Sequence, residues 1–238
     1  MSDELLIFDS AKEAAENCGA AIFDLLAAAR RERGVARLAV SGGGTPRIMF
    51  EWMARQPFDW SRIELFWVDE RCVPVTDSQS NYRMTRESLL DRIGLDPARI
   101  HRVETEFPPE EAARRYVADV NRTFGLANGE LPVFDVLQRG MGPDGHTASL
   151  FPGEPLIEDR TGLAGAVWVE KFQQHRVTLL PGVLERARKT LCLVTGSDKT
   201  EPLFNVLRGP RDPLQVPSQI SSPEMFWYVD RQAAAKLG

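Results

Sequence analysis

Cysteine is scarce in this chain: Cys18, Cys72 and Cys192 are odd in number and far apart. That spacing excludes a disulfide framework and a cysteine-based metal knuckle. Histidine is equally scarce, and His101, His146 and His175 show no zinc-ligand spacing with one another or with the cysteines. No stretch of about 18 apolar residues is present, so no bilayer-spanning helix is expected. The start, Ser-Asp-Glu ahead of Leu-Leu-Ile, lacks the basic opening of a signal peptide, and a reducing cytoplasm is the expected compartment. Positive charge is not in excess either. The net charge of -5 argues against nucleic acid or an anionic membrane as a bulk partner, while leaving room for a local cluster that binds a phosphate.

What remains is ordinary globular material: 238 residues, 43% hydrophobic and 26% charged, enough to bury a sizeable core. No internal repeat, low-complexity tract or long linker divides it, so residues 1–238 are expected to form one domain. Apolar residues at helical spacing over 10–33, from Ala14 through Ala29, predict a first helix that stops at Gly34. Short apolar runs at 38–40, 63–68, 99–103, 134–137, 166–171, 176–180, 190–195 and 226–229 predict strands. Helices are expected from Ser80-Asn81 to about Ile93, from Pro109 to Phe124, from 199 through Leu207, and in the alanine-rich end after Val229. Strands alternating with helices in this way predict a Rossmann-like α/β fold, a mostly parallel sheet with helices on both faces. A small antiparallel flap is expected near 150–180.

Four polar loops follow predicted strands: Ser41–Thr45, Asp69–Pro74, Gly140–Thr147 and Gly196–Lys199. In a doubly wound sheet such loops share one edge, where ligands bind. Ser41, Gly42, Gly43, Gly44 and Thr45 offer backbone N–H groups at a helix start, with Thr45 expected as the cap and Pro46 in the first turn. This suits a phosphate, although the Gly-Lys-Ser/Thr ending of a P-loop is missing. Lys199 and Arg176 are candidates to complete that subsite with charge-assisted bonds.

The stretch Gly140-Met-Gly-Pro-Asp-Gly145 matches G-x-G-x-x-G, but its chemistry is wrong for a dinucleotide. Asp144 sets a carboxylate where a pyrophosphate would lie, and Pro143 removes a donor. The serines 41, 149 and 197 sit outside a G-x-S-x-G elbow, which leaves a serine hydrolase without support. His146, on a glycine turn two residues after Asp144, is the candidate general base, its tautomer fixed by the acid. His101 and His175 are expected to be structural or exposed.

Taken together, Ser-Gly-Gly-Gly-Thr-Pro (41–46), Asp-Glu-Arg-Cys-Val-Pro (69–74) with Ser80-Asn81, and Gly-Met-Gly-Pro-Asp-Gly-His-Thr-Ala-Ser-Leu-Phe-Pro-Gly (140–153) resemble the 6-phosphogluconolactonase family. Arg176-Val-Thr178, Gly196-x-x-Lys199 and the ending Phe-Trp-Tyr-Val-Asp-Arg-Gln-Ala-Ala extend the likeness over nearly the whole chain. The resemblance implies hydrolysis of 6-phosphoglucono-1,5-lactone, with neither metal nor organic cofactor. It assigns His146 as the base, Arg71 as a substrate contact, and the 41–45 loop, Arg176 and Lys199 to the phosphate. Asp144 is expected to orient His146, Asp69 to support the site or contact a ring hydroxyl, and Asn81 to contact substrate. A monomer or weak homodimer is expected.

Two alternatives are weaker. Glucosamine-6-phosphate deaminase shares the glycine loop, an Asp-Glu pair and Asp-Gly-His, but places a glutamate five residues after the histidine, where this chain has Phe151. A sugar-phosphate-sensing regulator would need a DNA-binding module, and only one helix precedes the strand at 38. One departure from the family pattern is Gln138-Arg139, polar where the strand is usually apolar, which predicts a sheet edge or an early strand end.

Overall fold

The computed structural model describes the backbone of residues 2–238 and the side chains from residue 4 onward. Among these, ten strands run as β1 (Ser2–Phe8), β2 (Ala36–Val40), β3 (Ile63–Trp67), β4 (Asp69–Arg71), β5 (Ile100–His101), β6 (Val136–Arg139), β7 (Ala164–Val169), β8 (Gln174–Leu179), β9 (Lys189–Val194) and β10 (Glu224–Asp230). The α-helices are α1 (Ala11–Arg33), α2 (Gly44–Met53), α3 (Asn81–Ser88), α4 (Pro109–Phe124), α5 (Pro181–Leu184) and α6 (Thr200–Arg208). Seven strands form one sheet in the order β1-β10-β9-β6-β2-β3-β5, and each pairing in it is parallel. The remaining three form a small antiparallel sheet, β4-β8-β7, which is the expected flap. No helix among the described residues is long and apolar enough to cross a membrane.

Helices cover both faces, so the central strands read as continuous apolar runs rather than alternating ones. On one face Leu38, Val40, Leu65 and Trp67 pack against Cys18, Ile22 and Leu26 of α1 and Met49, Phe50 and Met53 of α2. On the other, Ala39, Phe66 and Leu137 meet Ala112, Tyr116 and Val120 of α4 and Val177 and Leu179 of β8. Helix α1 starts where Ser10 Oγ accepts from Glu13 N–H, and stops at Gly34 in the left-handed region (φ 76°), as its sequence signals indicated.

Several expectations need correction. The strand β1 was not foreseen, because Leu5–Phe8 is too short a run to separate from a helix start. Pairing with β10 supplies the partner that makes it a strand. Thr45 is not the cap of α2, whose N-cap is Gly43 without a side-chain bond; Thr45 Oγ1 instead pairs with Thr195 Oγ1 at 2.7 Å. Helix α3 ends at Ser88, followed by a 3-10 turn at Leu90–Arg92 rather than a helix to Ile93. The strand at 99–103 shrinks to Ile100–His101. After Asp230 the chain forms turns, not a helix. Asp230 Oδ1 accepts from Ala233 N–H, and Ala233 and Ala234 are buried in a cluster with Trp227 and Val229.

Gln138 and Arg139 lie neither at an edge nor past a strand end. Strand β6 is central, between β9 and β2, and both side chains are buried. Each carries a specific load: Gln138 Oε1 accepts from Ser41 N–H at 3.1 Å, and Arg139 Nη2 donates to the carbonyl of Ile220. These bonds offset the burial in part, since Gln138 Nε2 and Arg139 Nη1 are buried without a partner.

His101 is structural. Its Nδ1 meets Asp119 Oδ2 at 2.9 Å and its Nε2 meets Glu64 Oε2 at 3.0 Å, with the ring stacked on Phe66 at 4.4 Å. Burial alone lowers its pKa, but the two carboxylates outweigh burial and raise it from 6.5 to about 9. The folded state therefore holds the proton more tightly than the unfolded chain. The stabilisation is complete below about pH 6.5 and disappears as pH rises through about 9. Allowing for solvent screening, it is worth on the order of 1–2 kcal/mol. In urea denaturation, the stability gap between the protein and its His101→Gln variant should narrow from pH 6 to pH 10; a constant gap would contradict the bridge.

Candidate active site

The strand order reverses between β6 and β2: from β2 the chain builds outward through β3 and β5, and from β6 through β9 and β10. Loops leaving the carboxyl ends of strands on either side of such a reversal diverge and leave a crevice. Here the crevice is a cleft of about 340 Å³. It takes Ser41–Thr45 from the end of β2, Gly140–Ala148 residues from the end of β6, and Thr195, Asp198 and Lys199 from the end of β9. The small sheet closes one side with Asp69, Arg71 and Arg176. Each expected site residue lines this cleft except Asp144, which stands behind His146.

The small sheet owes its position to Val68, whose N–H donates to Val40 O while its carbonyl accepts from Leu179 N–H. The chain thus steps off the large sheet directly into β4. Register then sets Arg71 opposite Arg176 and Asp69 opposite Thr178. Arg71 Nη1 donates to Gln79 O at 2.8 Å. Arg176 is buried, its guanidinium 4.9 Å from the Phe172 ring and 5.5 Å from the Phe151 ring. Burial lowers its pKa, and Asp69 opposes that.

Glu70, without an assigned role until now, is buried and organises this wall. Its Oε1 accepts from the backbone N–H groups of Arg71 and Asn81, and Oε2 from Tyr82 N–H, all at 2.7 Å, with Ser80 Oγ at 3.2 Å. A carboxylate at the start of α3 satisfies the open N–H groups and the helix dipole. Burial pushes its pKa up while those N–H bonds pull it down, and burial is the larger effect. Held by this cap, Asn81 Nδ2 donates to Asp69 O at 2.9 Å, and its side chain packs on Gly42 so closely that a Cβ there would fall 1.9 Å from Asn81 Oδ1. Asp69 Oδ2 in turn accepts from Ser149 Oγ at 2.7 Å. Ser149 and Gln138 are supports that no sequence spacing identified.

The same cleft receives His146 from the loop after β6, with Asp144 behind it. His146 Nδ1 and Asp144 Oδ1 are 2.5 Å apart, and Lys171 Nζ reaches Asp144 Oδ2 at 3.1 Å. Burial would raise the Asp144 carboxyl, but His146 and Lys171 hold it well below the usual carboxylate range. A carboxylate held anionic is an acceptor, which makes Nδ1 the donor; in the neutral imidazole the lone pair then sits on Nε2. Phe151 stacks on the imidazole at 4.1 Å. Lys199 closes a 3-10 turn at Ser197–Lys199, its Nζ 2.8 Å from Asp198 Oδ2. Asp198 and Thr195 also line the cleft without having been singled out beforehand. No group of three or more His, Cys, Asp or Glu side chains that could hold a metal ion occurs among the described residues.

The chain matches the family of glucosamine-6-phosphate isomerases/6-phosphogluconolactonase over residues 9–227. It is 38% identical over 211 residues to a 6-phosphogluconolactonase of Synechocystis, covering 87% of this chain and 86% of the relative. A crystal structure described as devB protein superposes with a TM-score of 0.90 at 32% identity, covering all of both chains (100% each). A 6-phosphogluconolactonase structure from Thermotoga maritima gives 0.84 at 27% identity, covering 96% of this chain and 100% of that one.

Proposed function

The chain belongs to the glucosamine-6-phosphate isomerase/6-phosphogluconolactonase family, and from that premise we propose that it hydrolyses 6-phospho-D-glucono-1,5-lactone to 6-phospho-D-gluconate, in the oxidative pentose phosphate pathway. The observation that carries this reading is the Asp144–His146 pair facing a cleft whose other walls bear Arg71, Arg176 and Lys199. A base and several cations around one cleft suit a substrate that carries both an electrophilic carbonyl and a phosphate dianion. The whole chain acts as one domain in this reading, since the cleft draws on loops from residue 41 to residue 199.

His146 Nε2 takes a proton from water as the water oxygen bonds to the lactone carbonyl carbon. The tetrahedral oxyanion collapses, the bond from that carbon to the ring oxygen breaks, and the imidazolium returns its proton to the departing ring oxygen. Water is consumed, and the carboxylic acid formed releases a proton near neutral pH. A positioned base supplies roughly 10²–10⁴-fold. The phosphate lies against the Gly43–Thr45 backbone, where the first N–H groups of α2 have no partner within the helix, with Arg176 and Lys199 beside it. Arg71 and Asn81 contact the sugar end, and Asp69, held by Ser149, faces the ring hydroxyls.

The deaminase reading lacks its acid. Five residues beyond His146 stands Phe151, an apolar ring lying flat on the imidazole, where proton relay would need a carboxylate. The deciding experiment follows acid release at constant pH from freshly made 6-phosphogluconolactone, beside ammonia release from glucosamine 6-phosphate. Acid release should rise well above the spontaneous rate and fall sharply for the unphosphorylated lactone, with no ammonia. Ammonia without accelerated acid release would overturn the assignment.

A further inference from the structure

Lys171 lies outside the cleft lining, on the turn that joins β7 to β8. Among the described residues, the ionic partners of Asp144 are His146 and this lysine. The two bind different oxygens: His146 takes Oδ1 and Lys171 takes Oδ2. A carboxylate gripped at both oxygens cannot rotate about its own axis without losing one partner, so the lysine sets the plane in which Asp144 meets the imidazole.

The turn that presents Lys171 is itself fixed. Glu170 accepts from Trp168 Nε1 at 2.7 Å and from Gln173 Nε2 at 2.8 Å, and Gln173 adopts a left-handed conformation (φ 48°) that ends the turn. Phe172 meets Phe151 edge-on at 5.9 Å, and Phe151 stacks on His146. The turn therefore reaches the pair along two routes, ionic through Asp144 and aromatic through Phe151. Neither route touches the space available to substrate.

We propose that Lys171 is a positioning residue of the hydrolysis: it holds the outer oxygen of Asp144 and so fixes that carboxylate against Nδ1 of His146. The proposal rests on the lactone-hydrolysis reading above. The other charged groups facing His146 are Arg71 and Asp69 from β4, Arg176 from β8, and Lys199 and Asp198 after β9. Glu201 of α6 borders a separate hollow beside Asp144 and pairs with Lys236. None of these contacts the carboxylate, so a lysine substitution changes one interaction of the pair and leaves that surrounding field in place.

Two measurements on the full chain separate this proposal from the reading it rests on. The first is the downfield proton NMR signal of the Nδ1–H···Oδ1 bond between His146 and Asp144 in the absence of substrate. Lys171→Gln should weaken or broaden it, Lys171→Arg should retain it, and Asp144→Asn should abolish it. The second is the split of kcat from KM in lactone hydrolysis. Lys171→Gln should lower kcat about threefold with KM unchanged, and Lys171→Arg should retain kcat. In an Asp144→Asn background the same Lys171→Gln change should cost nothing further, because the lysine acts through that carboxylate. An unchanged proton signal, or a loss of kcat that persists without Asp144, overturns the role of Lys171. A signal that responds in a protein with no lactonase activity overturns the function and leaves the positioning contact standing.

Discussion

His146→Ala is expected to lose about 10²–10⁴-fold in kcat while KM stays near its starting value. The imidazole is partly exposed to the cleft and holds up no core packing beyond the Phe151 ring, so the fold should survive its removal. What goes is the only nitrogen base with a free lone pair among the described cleft residues, since Arg71, Arg176 and Lys199 are cations. The residual rate would come from a phosphate subsite and a wall of cations that still gather the substrate. The measurement is acid release at constant pH, corrected for spontaneous opening of the lactone, with circular dichroism to verify the fold. A variant that turns over within a few-fold of the parent removes His146 from the mechanism.

The second large effect comes from a residue with no chemistry of its own. A Cβ at Gly142 would lie 2.0 Å from His146 Nδ1, 2.1 Å from its Cε1 and 2.8 Å from Asp144 Oδ1. Gly142→Ala must push apart the two groups that meet at 2.5 Å. The loop cannot yield easily, because Gly142 N–H donates to His146 O and its carbonyl accepts from Gly145 N–H. A displacement of about 1 Å in a catalytic group can cost about 10²-fold, so Gly142→Ala should approach His146→Ala in kcat. It should also abolish the coupling between the pair, so that Asp144→Asn costs no further activity in that background. Retained activity would show that the loop accommodates the methyl group and that the close approach is not required.

These two residues show where the sequence was informative. The glycines around His146 were legible as a turn and the short spacing of Asp144 and His146 predicted their contact, whereas the close approach that Gly142 permits became visible only in the structure. The alternation of apolar runs and helical stripes gave the sheet and its helices, because burial on both faces leaves a strong local pattern. The convergence of four loops followed from the handedness of parallel connections rather than from any one motif.

Long-range pairing was not legible. Strand β1 exists because β10 is there to receive it, and the terminal alanines remain turns because they pack on Trp227 and Val229 instead of on each other. Neither partner is visible from the local run. Gln138 and Arg139 misled for a related reason. In isolation a polar pair argues for exposure; in place, each is matched to a backbone group far along the chain, at Ser41 and Ile220. Glu70 was silent for the same reason, its partners being main-chain N–H groups that carry no side-chain signature.

The pairing of β1 with β10 also governs the order in which the protein can be finished. Ser2 lies beside Glu224, and Phe8 O accepts from Arg231 N–H. During synthesis β1 has no place in the sheet until β10 has left the ribosome. Contacts this distant along the chain are slow to close. Until then β9 presents a bare edge, a surface on which another chain could add a strand. Lys189 of β9, which pairs with Glu224 once β10 arrives, leaves a bare lysine on that edge in the meantime, where it discourages mispairing.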